Sequence, residues 1–360
     1  MPAKTLSQFV IAIGLMACFI GRHTRGADAI SAGSEPFAVA VNPATDKVYV
    51  ANFGDASVTV IDGATGATAE ISVGARPAAV ALNPVSNKIY VVNSSDNTVT
   101  IIDGTTGGTA KVPAGRSPVA LAVNSTSGRI YVANQSGNSV TVIDAAGGTA
   151  EVAAGREPVA IAVNSLTNKI YVACLGGTVE VIDGASNAVT SIPAGKSPIA
   201  LAVDSGRNRV YVANRGDNNV TMIDGQGKTR TIPVGKQPVA VAINEATDKV
   251  YVANAMGNNV TVIDEASDLT ADVSTGSTPA SLAVNARTGQ VYVTNLGSDS
   301  VSVLDNWTNT VHTYPAGILP RALAVNPVTN KAYVANLKEN TVTVIDGREV
   351  YNVIRAKTEQ

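Results

Sequence analysis

The sequence is dominated by one repeat, and this repeat restricts the chain to a small set of architectures. A tetrapeptide close to Tyr-Val-Ala-Asn occurs eight times at intervals of 40 or 41 residues, beginning at Tyr49, Tyr90, Tyr131, Tyr171, Tyr211, Tyr251, Tyr292 and Tyr333. In every copy a Pro stands thirteen residues before the Tyr, and a Gly stands three residues before that Pro. A fixed period over most of a chain is typical of folds in which neighbouring copies bury each other's apolar faces.

Each copy predicts four short strands, A to D, separated by polar turns. In the second copy these strands cover 78–82, 88–92, 98–102 and 110–114. Val, Ile, Tyr and Thr dominate the strands, whereas Asn, Asp, Gly, Ser and Pro cluster between them. Four strands in about 40 residues are typical of one blade of a β-propeller. We therefore predict an all-β fold, an eight-bladed β-propeller of four-stranded antiparallel blades.

The repeat resembles the YVTN family of β-propeller repeats. Residues 292–295 read Tyr-Val-Thr-Asn, and the runs at 58–62 (Val-Thr-Val-Ile-Asp) and 232–235 (Ile-Pro-Val-Gly) are also similar to the family unit. The resemblance covers 30–354 and implies a propeller. Similar propellers often have seven blades, whereas the eight copies here predict eight. The resemblance implies little about activity, since similar propellers serve as surface-layer, adhesive, periplasmic binding and cofactor-protein modules.

The N-terminal segment predicts export. Residues 9–20 form an apolar run after Lys4, which is too short for a membrane-spanning helix and typical of a signal-peptide core. Residues 27–29, Ala-Asp-Ala, fit a cleavage site. The prediction is therefore a signal peptide at 1–29 and a single propeller domain at 30–360.

A second interpretation of this segment is a lipid anchor. Residues 15–18, Leu-Met-Ala-Cys, resemble a bacterial lipobox, which would tether the protein to a membrane at Cys18. In either case we expect the protein in the periplasm, at the cell surface or outside the cell. No other apolar stretch is long enough to span a membrane.

The segment after the predicted cleavage site also bears on how the ring closes. Residues 29–33 copy the ending of strand D at 192–195. Propellers commonly close when one terminal strand completes the blade begun by the other. We therefore predict that the N-terminal segment closes the ring; 350–354 is the other terminal candidate.

Composition excludes several classes of function. Charged residues make up only 15% of the chain, and 26 basic residues stand against 28 acidic ones, which argues against a disordered chain or a strongly basic nucleic-acid binder. The two His and two Cys provide no cluster with metal-ligand spacing. Phosphate-binding loops, nucleophile elbows and haem-attachment motifs are also absent. We predict no catalytic residues, no metal site and no cofactor.

Most of the repeated polar residues are interpreted as structural. The Asp that ends each strand C is expected to cap its own turn, and the repeated Tyr is expected to fill the space between blades. A basic residue begins strand B in seven copies and is interpreted as inherited with the repeat: Lys47, Lys88, Arg129, Lys169, Arg209, Lys249 and Lys331. Copy four departs from the pattern, with Cys174 in place of Asn and Glu180 in place of Thr or Ser. A lone Cys is usually a small buried hydrophobe.

One set of charges breaks the eightfold similarity and supplies the candidate site. The loops from strand D to the next strand A should surround one mouth of the central channel, and copies two to six carry a basic residue there. Arg215 is predicted in a B–C loop that opens on the same face. The candidate ligand-binding residues are Arg76, Arg116, Arg156, Lys196, Lys236 and Arg215. The simpler interpretation is a solvated rim whose charges only aid solubility.

Taken together, these features favour a non-enzymatic binding or interaction module. Its partner is predicted to be a protein, a glycan or an acidic small ligand that contacts the channel mouth. Two alternatives remain from other classes: a lyase or hydrolase at the channel mouth, and single-stranded nucleic acid binding. The enzyme would require convergent titratable groups, and nucleic acid binding would require exposed aromatic residues such as Phe53 beside the basic loops.

Overall fold

Every copy of the repeat forms one four-stranded antiparallel sheet in the computed structural model, which describes residues 28–306 and 310–348. Strand A lies at the inner edge of each sheet. The A strands are β2 (Pro36–Asn42), β6 (Pro77–Asn83), β10 (Pro118–Val123), β14 (Pro158–Asn164), β18 (Pro198–Asp204), β22 (Pro238–Asn244), β26 (Pro279–Asn285) and β30 (Pro320–Asn326). The B strands are β3 (Lys47–Asn52), β7 (Lys88–Asn93), β11 (Ile130–Asn134), β15 (Lys169–Cys174), β19 (Arg209–Asn214), β23 (Lys249–Asn254), β27 (Gln290–Asn295) and β31 (Lys331–Asn336).

Strands C and D complete the sheets toward the outside. The C strands are β4 (Ser57–Asp62), β8 (Thr98–Asp103), β12 (Ser139–Ile143), β16 (Thr178–Asp183), β20 (Asn219–Ile223), β24 (Asn259–Asp264), β28 (Ser300–Asp305) and β32 (Thr341–Asp346). The D strands are β5 (Thr68–Ser72), β9 (Thr109–Pro113), β13 (Thr149–Ala153), β17 (Val189–Pro193), β21 (Thr229–Pro233), β25 (Thr270–Ser274), β29 (Val311–Pro315) and β1 (Asp28–Ser31). The predicted eight-bladed propeller is confirmed, and blades one to eight begin at β2, β6, β10, β14, β18, β22, β26 and β30.

The core of the protein lies between blades rather than within them. Tyr49 of blade one packs with Ile89, Val91 and Ile102 of blade two, and the other blade junctions contain equivalent clusters. The repeated Tyr is therefore an inter-blade filler, as predicted, and its neighbours are mainly Val and Ile. Strand B is buried on both faces, whereas strand A is only partly buried. Strand A differs because it borders the central channel.

The N-terminal strand closes the ring. Strand β1 pairs antiparallel with β32, so that Ile30 lies opposite Val342 in the eighth blade. The prediction of N-terminal closure is confirmed, with the strand at Asp28–Ser31. The strand begins two residues before the predicted cleavage point at Ile30. The apolar run at 9–20, the lipobox at Cys18 and the candidate strand at 350–354 all lie outside the described residues.

A buried amide explains the Asn that ends strand B. The Asn93 side chain is fully buried, and its Nδ2 donates to Thr98 Oγ1 at 3.0 Å and to Thr100 Oγ1 at 2.9 Å on strand C. The backbone N–H of Gly74, in the loop that leads from blade one into blade two, donates to Asn93 Oδ1 at 3.1 Å. Equivalent bonds from the B-strand Asn to strand C occur in the other copies except the fourth, with Asn52, Asn134, Asn214, Asn254, Asn295 and Asn336 as donors. Such bonds satisfy polar groups that burial would otherwise make costly.

This network also explains the repeated Gly, and it leads to a testable prediction. A Cβ at Gly74 would lie 2.6 Å from Cγ and Nδ2 of Asn93, so Gly74→Ala should displace the amide and lower the free energy of unfolding by about 2 kcal/mol. Gly108→Ala is the matched control, because the nearest atom to its new Cβ is Thr106 Oγ1 at 3.3 Å in an exposed turn. Urea unfolding of both variants measures the difference, and equal stabilities would contradict the steric explanation.

Candidate functional site

The loops between strands D and A and the loops between strands B and C lie on one side of the ring, the D–A face. The two loops of a blade bond to each other: Phe53 N–H donates to the Glu35 carbonyl at 2.9 Å, and Arg215 N–H donates to the Ser197 carbonyl at 3.1 Å. The Arg215 loop therefore opens on the same face as the loops that carry the predicted basic arc. The loops between strands A and B and between C and D form the opposite side, the A–B face.

All six candidate ligand-binding residues are exposed on the D–A face. Arg116, Arg156 and Lys236 have no ion pair with any residue in 28–306 or 310–348. Lys196 lies 3.8 Å from Asp217, a distance typical of a weak, solvent-exposed pair. Lys196 and Arg215 come from two bonded loops of blade five, whereas the remaining basic residues are distributed over separate blades.

Charges divide the D–A face into two unequal halves. In blades two to six, the six basic residues share the loops with three acidic ones, Asp96, Glu157 and Asp217. In the corresponding loops of blades seven, eight and one, a single basic residue, Lys338, stands against Asp299, Glu339, Glu35 and Asp55. Several of these carboxylates have structural partners, since Asp96 accepts from Ala75 N–H at 2.9 Å and Glu35 lies 3.7 Å from Lys338. The face is therefore basic on one side and acidic on the other.

The shortened B–C loop of blade four opens a cavity of about 480 Å³ at the D–A face. Its lining includes Gly176 and Gly177 of that loop, together with Lys196 and Asp217 of blade five. Beneath it, Cys174 is fully buried, and burial is the main cause that raises the pKa of its thiol to about 11. The thiol is therefore protonated at neutral pH and poorly suited to nucleophilic chemistry, in agreement with the structural interpretation of Cys174.

The structure brings together four residues that the sequence did not group, and we call them the Arg–Phe cluster: Arg321, Phe37, Phe53 and Arg76. The rings of Phe37 and Phe53 stack with centroids 5.1 Å apart. The Arg321 guanidinium lies 3.9 Å from the centroid of Phe37, and the Arg76 guanidinium lies 5.4 Å from that of Phe53. These residues come from blades eight, one and two. In the sequence, Arg321 was the signal that could have indicated this cluster, because the equivalent residue is uncharged in all other copies: Phe37, Ala78, Val119, Val159, Ile199, Val239 and Ala280.

Several of the basic residues that begin strand B on the A–B face have a structural role. Arg129 donates to the carbonyl of Gly184 at 2.5 Å, Arg209 to that of Glu265 at 2.8 Å, and Lys331 to that of Gly63 at 2.6 Å. Each of these bonds joins one blade to the next. The Asp residues that end strand C cap their turns, as predicted, in blades one to six and in blade eight. Asp103 accepts from Thr105 and Thr106 N–H, and these bonds lower the pKa of its carboxyl.

On the A–B face, neighbouring blades are also joined by hydrogen bonds between side chains, and we call each such contact a seam. The seam between blades five and six differs from the others. The Asn that ends strand A donates to an Asn or Asp in the next blade in five copies, namely Asn42, Asn124, Asn164, Asn285 and Asn326. At the equivalent place, Asp204 faces Asp248 instead. The guanidinium Nη1 of Arg207 lies 2.5 Å from Asp248, 3.6 Å from Asp204 and 3.7 Å from Glu265, which stands where most copies have Gly.

Glu265 is the most perturbed acid of this seam. Only 2% of the residue is exposed, and burial raises the pKa of its carboxyl to about 7. The negative charge of Asp204 raises this pKa further, whereas the Tyr211 hydroxyl and the Arg207 guanidinium oppose the shift. The group titrates near neutral pH, and it does so at a contact between blades rather than in an open pocket.

No cluster of three or more His, Cys, Asp or Glu suited to a metal ion occurs among the described residues. Within the same residues, no helix is long and apolar enough to cross a bilayer. The arrangement on the D–A face offers cationic and aromatic groups, which suit recognition of anions.

Comparisons with solved structures support the fold of this chain and go no further. The computationally designed Ika8 protein has a TM-score of 0.74 at 17% identity, over 89% of this chain and 99% of that one. Hydrazine synthase from Kuenenia stuttgartiensis has a TM-score of 0.62 at 22% identity, over 75% and 95% of the two chains. A catalytically inactive histidine-to-alanine variant of virginiamycin B lyase from Staphylococcus aureus, with quinupristin, has a TM-score of 0.62 at 13% identity, over 88% and 97%. No family profile and no curated protein matches the chain.

Proposed function

We propose that this chain is an exported, non-enzymatic binding protein of the YVTN-repeat type, located in the periplasm, at the cell surface or outside the cell. Its D–A face engages an acidic partner over blades two to six. The observation that carries the proposal is the one-sided charge of this face, where six exposed basic residues outnumber three acidic ones. The rest of the face carries a single basic loop residue, so the charge is not a property of the repeat.

Electrostatics explains why such a face favours binding. Charges of one sign around a low-dielectric wall produce a potential that attracts oppositely charged ligands and increases their association rate. Arginine can bind a carboxylate, sulfate or phosphate with two parallel hydrogen bonds, and Arg116 and Arg156 are both exposed and free of acidic partners in the described part of the chain. Acidic polysaccharides and acidic protein segments both fit this description.

An enzymatic alternative is a lyase at the channel mouth, and the similarity to virginiamycin B lyase is the reason to consider it. That enzyme is inactive when one of its histidines is replaced by alanine. In the described part of this chain, the sole His is His312, on the outer strand β29 of blade seven. The D–A face lacks the convergent acid and base that such chemistry requires, so binding is the better-supported function.

Single-stranded nucleic acid is the other alternative. Base stacking requires aromatic faces that are open to solvent. Phe53 is only half-buried, but its ring already contacts Phe37 and Arg76. Contacts within the protein therefore already occupy the aromatic surface beside the basic loops.

The proposal is tested by charge reversal on the D–A face. Arg116→Glu with Arg156→Glu should shift elution from immobilised heparin, used as a sulfated polysaccharide probe, to much lower salt, because two cationic contacts become repulsive. The melting temperature should change by only a few degrees, since exposed charges contribute little to stability.

The matched control reverses two exposed charges elsewhere. Lys111→Glu with Lys228→Glu changes the net charge equally on the outer strand β9 and in a C–D turn, and should leave elution nearly unchanged. Equal shifts in elution salt for the two double variants, or no retention of the unaltered protein on heparin, would contradict the proposal. The basic residues of the D–A face would then only aid solubility. An equal affinity for oligodeoxythymidine would favour the nucleic acid alternative.

A further inference from the structure

Arg321 introduces a charge where the repeat is otherwise apolar, at the inner edge of the ring. It is the second residue of strand β30, directly after Pro320. Strand A of every blade borders the central channel, so this position lies at the channel mouth on the D–A face. Its side chain is exposed, whereas Pro320 is buried. A cation at this point is accessible to a molecule that enters the channel.

The guanidinium of Arg321 has no acidic partner within residues 28–306 and 310–348. It makes no hydrogen bond or ion pair with any side chain in the described residues, and the nearby Glu35 is paired with Lys338 at 3.7 Å. Its guanidinium carbon lies 3.9 Å from the centroid of the Phe37 ring. Solvent reaches Arg321 through the mouth, but the surrounding blades displace much of the bulk water and lower the pKa of this guanidinium. A cation that is partly desolvated and unpaired is well placed to bind an anion.

The Phe37 ring lies against the guanidinium of Arg321. Stacking on an aromatic ring occupies one face of the guanidinium, while the N–H groups at its edge remain available for hydrogen bonds. Phe53 stacks against Phe37 at 5.1 Å and supports the ring from blade one. The cluster therefore presents a preorganised fork that fits the two oxygens of a carboxylate.

Below Arg321 the wall of the channel is apolar. The inner strands present partly exposed Ala, Val, Leu and Ile along their length, as in Val159-Ala-Ile-Ala-Val163 of β14 and Ile199-Ala-Leu-Ala-Val203 of β18. Arg321 is the single Asp, Glu, Lys or Arg between the first and last residues of the eight inner strands. A ligand that contacts both regions must combine one anionic group with an apolar body.

We propose that Arg321 binds the carboxylate of an apolar carboxylic acid whose hydrocarbon part lies against the apolar wall of the channel. This inference goes beyond the function proposed for the basic arc, because it concerns another ligand class and other residues. The carboxylate accepts two N–H groups from the guanidinium, and the hydrocarbon part leaves water for the surface formed by the inner strands.

Octanoate is the probe, with binding to the full chain measured by titration calorimetry. Arg321→Val should weaken octanoate binding by about tenfold or more, because a charge-assisted pair of hydrogen bonds is lost. The variant should fold, since Val occupies the equivalent position in three other copies, at Val119, Val159 and Val239. Arg116→Val removes the same charge from the rim and should change octanoate affinity by less than about twofold.

Three further measurements separate the contributions of the carboxylate, the planar guanidinium and the Phe37 ring. Octanol should bind far more weakly than octanoate to the unaltered protein, and Arg321→Lys should restore only part of the affinity because the ammonium lacks the planar fork. Phe37→Val should weaken binding several-fold by releasing the guanidinium. Equal octanoate affinities of Arg321→Val and the unaltered protein, or no binding of octanoate at millimolar concentrations, would overturn the proposal. The heparin experiment is independent, because its variants leave Arg321 intact.

Discussion

Removal of residues 30–33 should lower the melting temperature by about 10 °C, the largest effect expected from any change considered for this protein. The deletion removes two of the four residues of β1, Ile30 and Ser31, so that β32 loses their pairing with Val342 and Thr341 and the outer strand of the eighth blade is disrupted. It also removes Ile30 and Ala32, which pack against the cluster formed by Val48, Val50, Ile61, Tyr333 and Val342 between blades eight and one. Truncation of a fully buried Ile costs about 2–5 kcal/mol, and we expect the partly buried Ile30 to contribute toward the lower end of this range.

The control for this experiment is a deletion near the other end of the chain. Removal of 356–360 takes away five residues that lie outside the described residues, and we expect it to have a much smaller effect. The shortened N-terminal variant should also self-associate, because an exposed β32 edge offers unpaired N–H and C=O groups. Calorimetry and light scattering measure both effects. Similar melting temperatures for the two deletions would show that β1 does not hold the ring closed.

The second large effect is a dependence of stability on pH that originates at the seam between blades five and six. The pKa of the Glu265 carboxyl is about 7 in the folded protein and 4.5 in an unperturbed chain. Because the folded pKa is the higher one, the folded state prefers the protonated acid. The stability from this group is complete below pH 4.5 and is lost as the pH rises through 7. The full difference is on the order of 3 kcal/mol.

Glu265→Gln should abolish this dependence. The variant keeps a neutral side chain at the seam at every pH, so its free energy of unfolding relative to the unaltered protein should rise between pH 4.5 and pH 7 and then level off. The charged groups that face Glu265 remain in place: Asp204, Arg207, Asp248 and Arg209, with the Tyr211 hydroxyl. Urea unfolding at a series of pH values gives the comparison.

Glu245→Gln is the matched control on the same A–B face. Glu245 is exposed and accepts a hydrogen bond from Ser205 N–H at 3.1 Å, which a Gln oxygen can also accept. Its substitution should leave the pH profile unchanged. If Glu265→Gln and Glu245→Gln give parallel profiles, the seam does not control the pH dependence, and a titrating group elsewhere must be responsible.

The repeating parts of the structure were predictable, because the same local sequence pattern occurs in eight copies with the same spacing. The spacing of Pro36 and Tyr49 predicted strands and turns, and the resemblance of 29–33 to the end of strand D predicted which terminus closes the ring. The capping role of Asp103 followed from its place before a turn. These inferences required only contacts within a blade, or a pattern that every blade shares.

The features that break the repeat were not predictable to the same degree. Phe37 and Phe53 lie sixteen residues apart in one copy, but Arg321 and Arg76 come from the blades on either side. Their contacts depend on how blades eight, one and two are juxtaposed, which no spacing in the sequence encodes. Asn93 follows the predicted strand at 88–92, and its bonds to strand C become apparent only when the register of the strands is known.

The position of β1 has a consequence for how the protein folds. Seven blades are built from continuous stretches of chain, so their contacts are local and can form as soon as each stretch is available. The eighth blade instead pairs Asp28 with Val344, across nearly the whole length of the described chain. Loop-closure entropy delays a contact of this kind until the intervening blades have shortened the distance. We therefore expect the seven continuous blades to assemble first and the N-terminal strand to dock last, which makes this docking the slow step that commits the ring to its final state.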